Sequence, residues 1–269
     1  MGTYWKVQFY ASGVADFASL EANIIGQFDA IIEEFSLWNN SSFLSRLNTA
    51  PAGTCFPVSD RFQMLWSLSV DLMFATQGAF SPAVTDQRSA YSLAEIAKQL
   101  DETGLFRRLE GVHIDLTATA KGLAIDLVAA LLRQADHSSF LIDIGGDIFA
   151  EGIKPDKTPY WIELDRRASD PDIIRCAPIS EALASSGQLQ QAQLTDDGYT
   201  SHIRGHTGAM NATVTVLAAN CMIADGWATA LLAAGEKGPE IADENCLVAA
   251  FCESGRPVRF SKAAQTYLA

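Results

Sequence analysis

Positive charge is scarce in this chain: 19 lysines and arginines stand against 32 aspartates and glutamates, for a net charge of −13 and a pI near 4.6. Such a balance argues against nucleic acid or an anionic membrane as partner, because phosphate surfaces reward basic patches. Any phosphate group on a substrate needs local neutralisation, by a metal, a lysine or a helix N-terminus. Cysteine shows no pairing pattern. Cys55, Cys176, Cys221, Cys246 and Cys252 are odd in number, contain no C-x-x-C and mostly lie in apolar runs, so they read as buried thiols of a reducing compartment. Also missing are a long apolar span, a signal peptide and a lipid-accepting cysteine near the start, and the expected location is the cytoplasm, with no membrane partner. No Pro/Gly/Ser linker, composition break or solenoid-like repeat divides the 269 residues, 48% of them hydrophobic. Residues 1–269 are therefore expected to form one domain with a large core.

Periodicity supplies the elements. Apolar residues at steps of three and four predict helices over residues 14–35 and 62–77, the second with Gly78 as its stop. Ser92-x-x-Glu95 is a capping box for a shorter helix reaching residue 100, and residues 121–134 and 221–234 complete the helices. Alternating or fully apolar runs at 5–10, 112–116, 140–144, 160–164, 212–217, 247–251 and 258–260 predict strands. Strands and helices interleave irregularly, which favours an α+β class with mixed or antiparallel sheets and packed helices.

The segment Ile114-Asp115-Leu116-Thr117-Ala118-Thr119-Ala120-Lys121-Gly122 carries the first chemical signal. A strand-like run passes through small residues and one lysine into a helix, where backbone amides can approach an anion closely. Lys121 at such a start is either an anion ligand or a solvated first-turn lysine. Asp225 and Thr229 lie four apart on a predicted helix, so their oxygens share a face suited to a hard cation. Alternatively, Asp225 is an ordinary first-turn acid and Thr229 bonds back to its own helix. His202 has the titration range of a general base for a hydroxyl nucleophile, or is a solvated loop residue. His206 forms H-x-x-x-H with it, but Gly205 and Gly208 argue against a helical zinc pair. His113 and His137 offer no mechanism. Trp38 and Phe80 could stack on a base or belong to the core, and Gly145-Gly146 could turn beside a ligand or simply turn.

Seven motifs in order carry a resemblance. Phe35-Ser36-Leu37-Trp38 with Ser42-Phe43-Leu44-Ser45-Arg46-Leu47-Asn48 resembles F-S-x-Y/W…S-E-L-S-R-L-N, and Gly78-Ala79-Phe80-Ser81-Pro82-Ala83-Val84 resembles G-A-F-D-P-x-V. Residues 115–126 are similar to D-L-G-G-I-A-K-G-Y-A-V-D, with Thr117-Ala118-Thr119 for G-G-I. Leu141 to Ile148 resembles the L-x-G-G-D/N strand-turn, Ala184-Ser185-Ser186-Gly187 resembles A-T-S-G, and Ser201-His202-Ile203 resembles the start of S-H-I-I-D-P-x-T-G. Thr213 to Val216 and the helix from Asn220 resemble S-V-T-V…C-x-x-A-D-A-x-A-T-A-L. On these motifs the chain is identified as a member of the ApbE family, the FAD:protein FMN transferases; its opening Met1-Gly2-Thr3-Tyr4-Trp5 also resembles that family's M-G-T-x-W strand.

The resemblance implies an ApbE-like, T-fold-like domain that takes FAD as substrate and Mg2+ as cofactor. It implies transfer of FMN to a Thr or Ser of an acceptor flavoprotein with a D-x-x-x-S/T motif, releasing AMP. Carried over by position, the magnesium ligands are Asp225, Thr229 and the carbonyl of Ala118. The FAD-binding residues are Trp38, Ala79, Phe80, Ser81, Asp115, Lys121, Gly145, Gly146 and Ile203, and the catalytic residues are His202 and Lys121. The chain also departs from the family. Arg204-Gly205-His206 replaces I-D-P-R, Ser81 replaces the aspartate of F-D-P, and Phe43 replaces the glutamate of S-E-L. Gln188-Leu189-Gln190-Gln191 and Thr85-Asp86-Gln87-Arg88 stand where aromatic segments are usual. A divergent transferase is expected, with a magnesium-dependent FAD pyrophosphatase or a non-catalytic FAD-binding protein as alternatives.

Overall fold

The computed structural model describes residues 2–10, 16–85, 91–164, 175–187, 193–195, 198–200, 212–253 and 256–266. In chain order the first half holds β1 (Trp5–Phe9), α1 (Phe17–Phe35), α2 (Phe43–Thr49), β2 (Cys55–Pro57), α3 (Asp60–Ala75), β3 (Ala83–Thr85), α4 (Leu93–Ala97), β4 (Leu105–Arg107), β5 (Val112–Ile114) and α5 (Thr117–Gln134). The second half holds β6 (Phe140–Ile144), β7 (Asp147–Glu151), β8 (Ile162–Glu163), β9 (Arg175–Cys176), β10 (Glu181–Gly187), β11 (Gln193–Thr195), β12 (Gly198–Thr200), β13 (Ala212–Ala218), α6 (Cys221–Ala233), α7 (Gly238–Glu244), β14 (Val248–Glu253), β15 (Arg259–Phe260) and α8 (Lys262–Gln265).

Seven strands form the main sheet in the order β1-β6-β7-β10-β13-β14-β15, and every described pairing is antiparallel. The alternation of β6 shows how the sheet divides the core. Phe140, Ile142 and Ile144 join the main cluster with α1, α3 and α5, while Leu141 packs into a smaller cluster with Leu183 and Ala250 on the opposite face. Helix α5 lies against β6 and β7, α6 against β10 and β13, and the two helices pack on each other. The α+β expectation holds, and no described helix is long and apolar enough to cross a membrane.

Local chemistry sets the boundaries. Ser59 caps α3 by accepting from Phe62 N–H at 3.0 Å, so the helix begins at Asp60, two residues before the expected start. At its other end Gly78 N–H donates to the Met73 carbonyl and Gln77 N–H to that of Phe74, a Schellman stop in which Gln77 takes the left-handed conformation ahead of Gly78. The Ser92/Glu95 capping box forms, although α4 ends at Ala97. Helix α5 departs most from expectation, beginning at Thr117, four residues before Lys121. Asp115 starts it by accepting from both the Thr117 amide at 2.9 Å and the Thr117 hydroxyl at 2.6 Å. Lys121 consequently stands in the second helical turn.

The cysteine reading needs correction as well. All five are free thiols, but only Cys221 is fully buried, while Cys55 and Cys246 are exposed and Cys176 and Cys252 partly so. Cys55 sits in the short two-stranded pair β2–β4 and Cys246 in the turn after α7, where an apolar neighbourhood in sequence confers no burial.

The strand leading into α5 is pinned from a distance. Asn48, at the end of the S-R-L-N motif, accepts from Ile114 N–H at 2.7 Å and donates to the Ile114 carbonyl at 2.8 Å, standing in for a neighbouring strand. Asn48→Ala leaves both buried peptide groups unpaired and is expected to cost about 2 kcal/mol or more. A urea titration should show a lower midpoint with an unchanged slope.

Candidate active site

The site is built where α5 crosses α6. A Cβ on Gly122 would stand 2.3 Å from the Cys221 carbonyl oxygen and 2.6 Å from Met222 Cα, so only glycine lets the first turn of α6 rest on the backbone of α5. One turn along, a Cβ on Gly226 would stand 2.8 Å from Leu72 Cδ1 and 3.0 Å from Thr119 Cγ2. Three polar contacts follow from this approach. The Asp126 carboxylate accepts from the amides of Cys221 at 2.7 Å and Met222 at 2.9 Å, satisfying the open N-terminus of α6. Burial pushes the Asp126 pKa up, and the two amides oppose that rise. Asn220 completes the cap by accepting from Ile223 N–H at 2.9 Å. In the other direction, Gly122 N–H donates to Asp225 Oδ2 at 3.1 Å.

The sheet adds the second carboxylate. Gly145 and Gly146, with φ of 60° and 90°, make the two-residue turn between Ile144 and Asp147 that suits the twist of the β6–β7 hairpin. This turn delivers Asp147 at the head of β7, fully buried, where Oδ1 accepts from Ser185 N–H at 3.2 Å. Lys121 Nζ lies 2.6 Å from Asp147 Oδ2 and 4.0 Å from Asp225 Oδ1. The 2.6 Å contact is an ion pair at hydrogen-bonding distance, and it is what faces the buried Asp147 Oδ2. Thr229, one turn beyond Asp225, shares a 2.9 Å hydrogen bond with the Ser186 hydroxyl, and Ser185 does the same with Thr215 at 2.8 Å.

The electrostatics show a pocket short of positive charge. Burial and the neighbouring Asp147 raise the Asp225 pKa well above the usual carboxylate range, against Lys121 and the Gly122 amide. Burial likewise raises that of Asp147, against Lys121. For Lys121, burial disfavours the ammonium, but Asp225 and Asp147 outweigh it and raise its pKa above the ordinary lysine value.

These residues fit a hard cation. Among the described residues no three Asp, Glu, His or Cys side chains converge, so a cation must add hydroxyl and backbone oxygens to carboxylate, as magnesium accepts. Ala118 supplies one such oxygen in the first turn of α5: a carbonyl carries two lone pairs, and helical bonding uses one. At the start of this helix, Thr117 N–H is taken by Asp115 and Thr119 N–H donates to the Leu116 carbonyl, so two of the amides that a helix N-terminus offers an anion are engaged.

Of the expected residues, Lys121, Asp225, Thr229 and Ala118 lie on the two crossing helices and Gly145-Gly146 turn the adjacent strand. Asp115 caps α5 beside the segment Ala79-Phe80-Ser81, its amide donating to the Pro82 carbonyl at 2.8 Å. Ala79 is exposed, Ser81 half-buried, and Phe80 is buried in the cluster beneath α6. Trp38 is 91% exposed on the loop before α2. His202, Ile203 and the rival His206 lie outside the described residues. Asp147, Asp126 and Asn48 were not anticipated as site-building residues; for Asp147 the signal was its place after the glycine pair.

The architecture defines an α+β protein in which a lysine, two buried aspartates and a threonine meet where two helices cross. The ApbE family model matches residues 1–252, and the chain belongs to the ApbE family. Among its relatives, the FAD:protein FMN transferase of Vibrio cholerae is 25% identical over 276 residues, covering 91% of this chain and 83% of that protein. The one from Klebsiella pneumoniae is 24% identical, covering 92% and 80%. Among solved structures, the flavin transferase ApbE from Vibrio cholerae superposes with a TM-score of 0.80 at 22% identity, over 99% of this chain and 96% of that one. The apo flavinyl transferase ApbE of Pseudomonas stutzeri gives 0.80 at 23%, over 97% and 92%. At these identities the superpositions speak to fold.

Gly122→Ala is expected to force α5 and α6 apart and to destabilise the protein by about 1–3 kcal/mol, the scale of overpacking a close contact. Thermal unfolding should register a lower midpoint, whereas Gly26→Ala, on the open face of α1, should raise it slightly through helix propensity alone.

Proposed function

We propose that this chain is a magnesium-dependent FAD:protein FMN transferase that moves FMN from FAD onto a Thr or Ser hydroxyl of an acceptor flavoprotein and releases AMP. The observation that supports it best is the convergence of Lys121, Asp147, Asp225 and Thr229 at the α5–α6 crossing in a chain whose curated relatives bear that activity's name. All 269 residues serve as one catalytic unit.

The acceptor hydroxyl attacks the FMN phosphorus, a P–O bond forms, the pyrophosphate bond breaks, and AMP leaves. His202 takes the hydroxyl proton, since a neutral hydroxyl is a poor nucleophile until its proton has somewhere to go. Lys121 holds pyrophosphate oxygens. Asp225, Thr229 and the Ala118 carbonyl are the residues to hold Mg2+, which when bound supplies Lewis-acid stabilisation of charge on the phosphates. Trp38, open to solvent, offers a stacking face for an aromatic ring system. Asp115, Ala79, Phe80, Ser81, Gly145, Gly146 and Ile203 complete the FAD site. The acceptor carries a D-x-x-x-S/T motif and is neither nucleic acid nor membrane, and the five free thiols suit a reducing, cytoplasmic setting.

Incubation with FAD and Mg2+, with and without such an acceptor, tests this. Covalent FMN on the acceptor is expected; free FMN plus AMP would mark a pyrophosphatase, and intact bound FAD a non-catalytic binder. Asp225→Ala should abolish magnesium-dependent turnover while circular dichroism stays native; full activity at low magnesium would remove the metal assignment. His202→Ala should leave FAD binding nearly unchanged and slow transfer by roughly 100-fold or more, the usual scale for a positioned general base. His206→Ala, made in parallel, should transfer normally; the reverse pattern would move the base role four residues along.

A further inference from the structure

Lys121 occupies an unusual position for a phosphate ligand. In this structure its ammonium lies between two carboxylates, 2.6 Å from Asp147 Oδ2 and 4.0 Å from Asp225 Oδ1. Three separate elements bring these groups together: α5, β7 and α6. The contact to Asp147 is the shorter of the two, so Asp147 is the group that parks the ammonium. Asp147 cannot retreat, because Ser185 N–H holds its other oxygen on the paired strand β10. Lys121 can move, since its side chain is 28% exposed and hangs on four single bonds. A divalent cation on Asp225 would come within a few ångströms of the parked ammonium, and like charges at that range in a half-buried pocket repel strongly.

We propose that Lys121 is the resident counter-ion of the pocket when no nucleotide is bound, parked there by Asp147, and that it competes with the divalent cation for Asp225. The cation then binds tightly only together with an anionic diphosphate, which gives the displaced ammonium a new partner. This rests on the reading of Asp225 as a metal ligand. It assigns Asp147 a positioning role toward Lys121, and it gives the lysine a task before any chemistry begins.

The test is Mn2+ binding, followed by the electron paramagnetic resonance of the free ion, in wild type, Lys121→Gln, Lys121→Met and Asp225→Ala, first without nucleotide and then with FAD. Without nucleotide, both lysine variants are expected to bind Mn2+ on the order of ten-fold more tightly than wild type, because a competing charge has been removed. FAD is expected to tighten binding in wild type and to tighten it much less in the variants. Equal or weaker binding by both lysine variants would overturn the proposal while leaving the metal reading intact. Binding that persists unchanged in Asp225→Ala, or no binding to any form with or without FAD, would overturn the metal reading and this proposal with it. If a lysine variant is unfolded in chelator, Mn2+ is expected to fold it, read as far-ultraviolet ellipticity. Failure to fold at Mn2+ concentrations that saturate wild type would count against the competition.

Discussion

The contact between the backbone of α5 and the first turn of α6 at Gly122 is the constraint on which the rest of the site depends. With no side chain in the way, the Cys221 carbonyl occupies space that any Cβ would need. That closeness brings Asp126 within reach of two α6 amides and the Gly122 amide within reach of Asp225. These three bonds run in both directions across one crossing, each helix satisfying a polar group of the other. A buried carboxylate is tolerable only when something donates to it, and for Asp225 the described donor is this amide, with Lys121 as the nearby charge. Moving the helices apart by the radius of a methyl group would leave the N-terminus of α6 open and Asp225 without its hydrogen bond.

The hairpin side obeys the same logic with different materials. A two-residue turn with both residues at positive φ places the first residue of the returning strand opposite the last residue of the outgoing one. Asp147 is therefore set by the turn, and the β7–β10 register then sets the donor it meets, Ser185 N–H. Two buried carboxylates against one ammonium is a poor arrangement for stability, because the charge does not balance. The surrounding apolar clusters absorb this cost: α5 and α6 are buried along most of their length, and the helix-facing residues of β6 have almost no exposure. Such a local conflict inside an otherwise consistent core is what singles this cluster out as the candidate site.

Local periodicity made much of the fold legible. The strand of residues 140–144 and the helices α1 and α6 appear nearly where steps of two, three and four put them, because each buries one face against a continuous core. Where the deciding partner is distant, sequence was mute. The start of α5 turns on a hydroxyl and an amide bonding to Asp115, and small residues that looked like an open turn became helix. Helix α2 is seven residues long, too short for a periodic signal, and was visible only as a motif. The Asn48–Ile114 clasp spans 66 positions and the Lys121–Asp147 pair 26, and nothing local announces either. Of the site itself, the lysine, the Asp225–Thr229 pair and the glycine turn were legible as motifs. The acid that organises the lysine was legible only as the tail of one.

The acidity of the chain and the crowding of the α5 N-terminus together constrain how a diphosphate is held. A net charge of −13 gives no long-range attraction for a polyanion, and at the helix end that looked ready to receive phosphate the amides of Thr117 and Thr119 are already engaged. A helix dipole still contributes at that end, but Asp115 already offsets it with a carboxylate. On the proposed function, positive charge must therefore come from groups brought to the phosphates, the Lys121 ammonium and a divalent cation, and both compete for the same carboxylates. On that reading Asp147 and Asp225 hold the lysine until the diphosphate arrives together with the cation, and the acidity of the pocket is what keeps the needed charge in place.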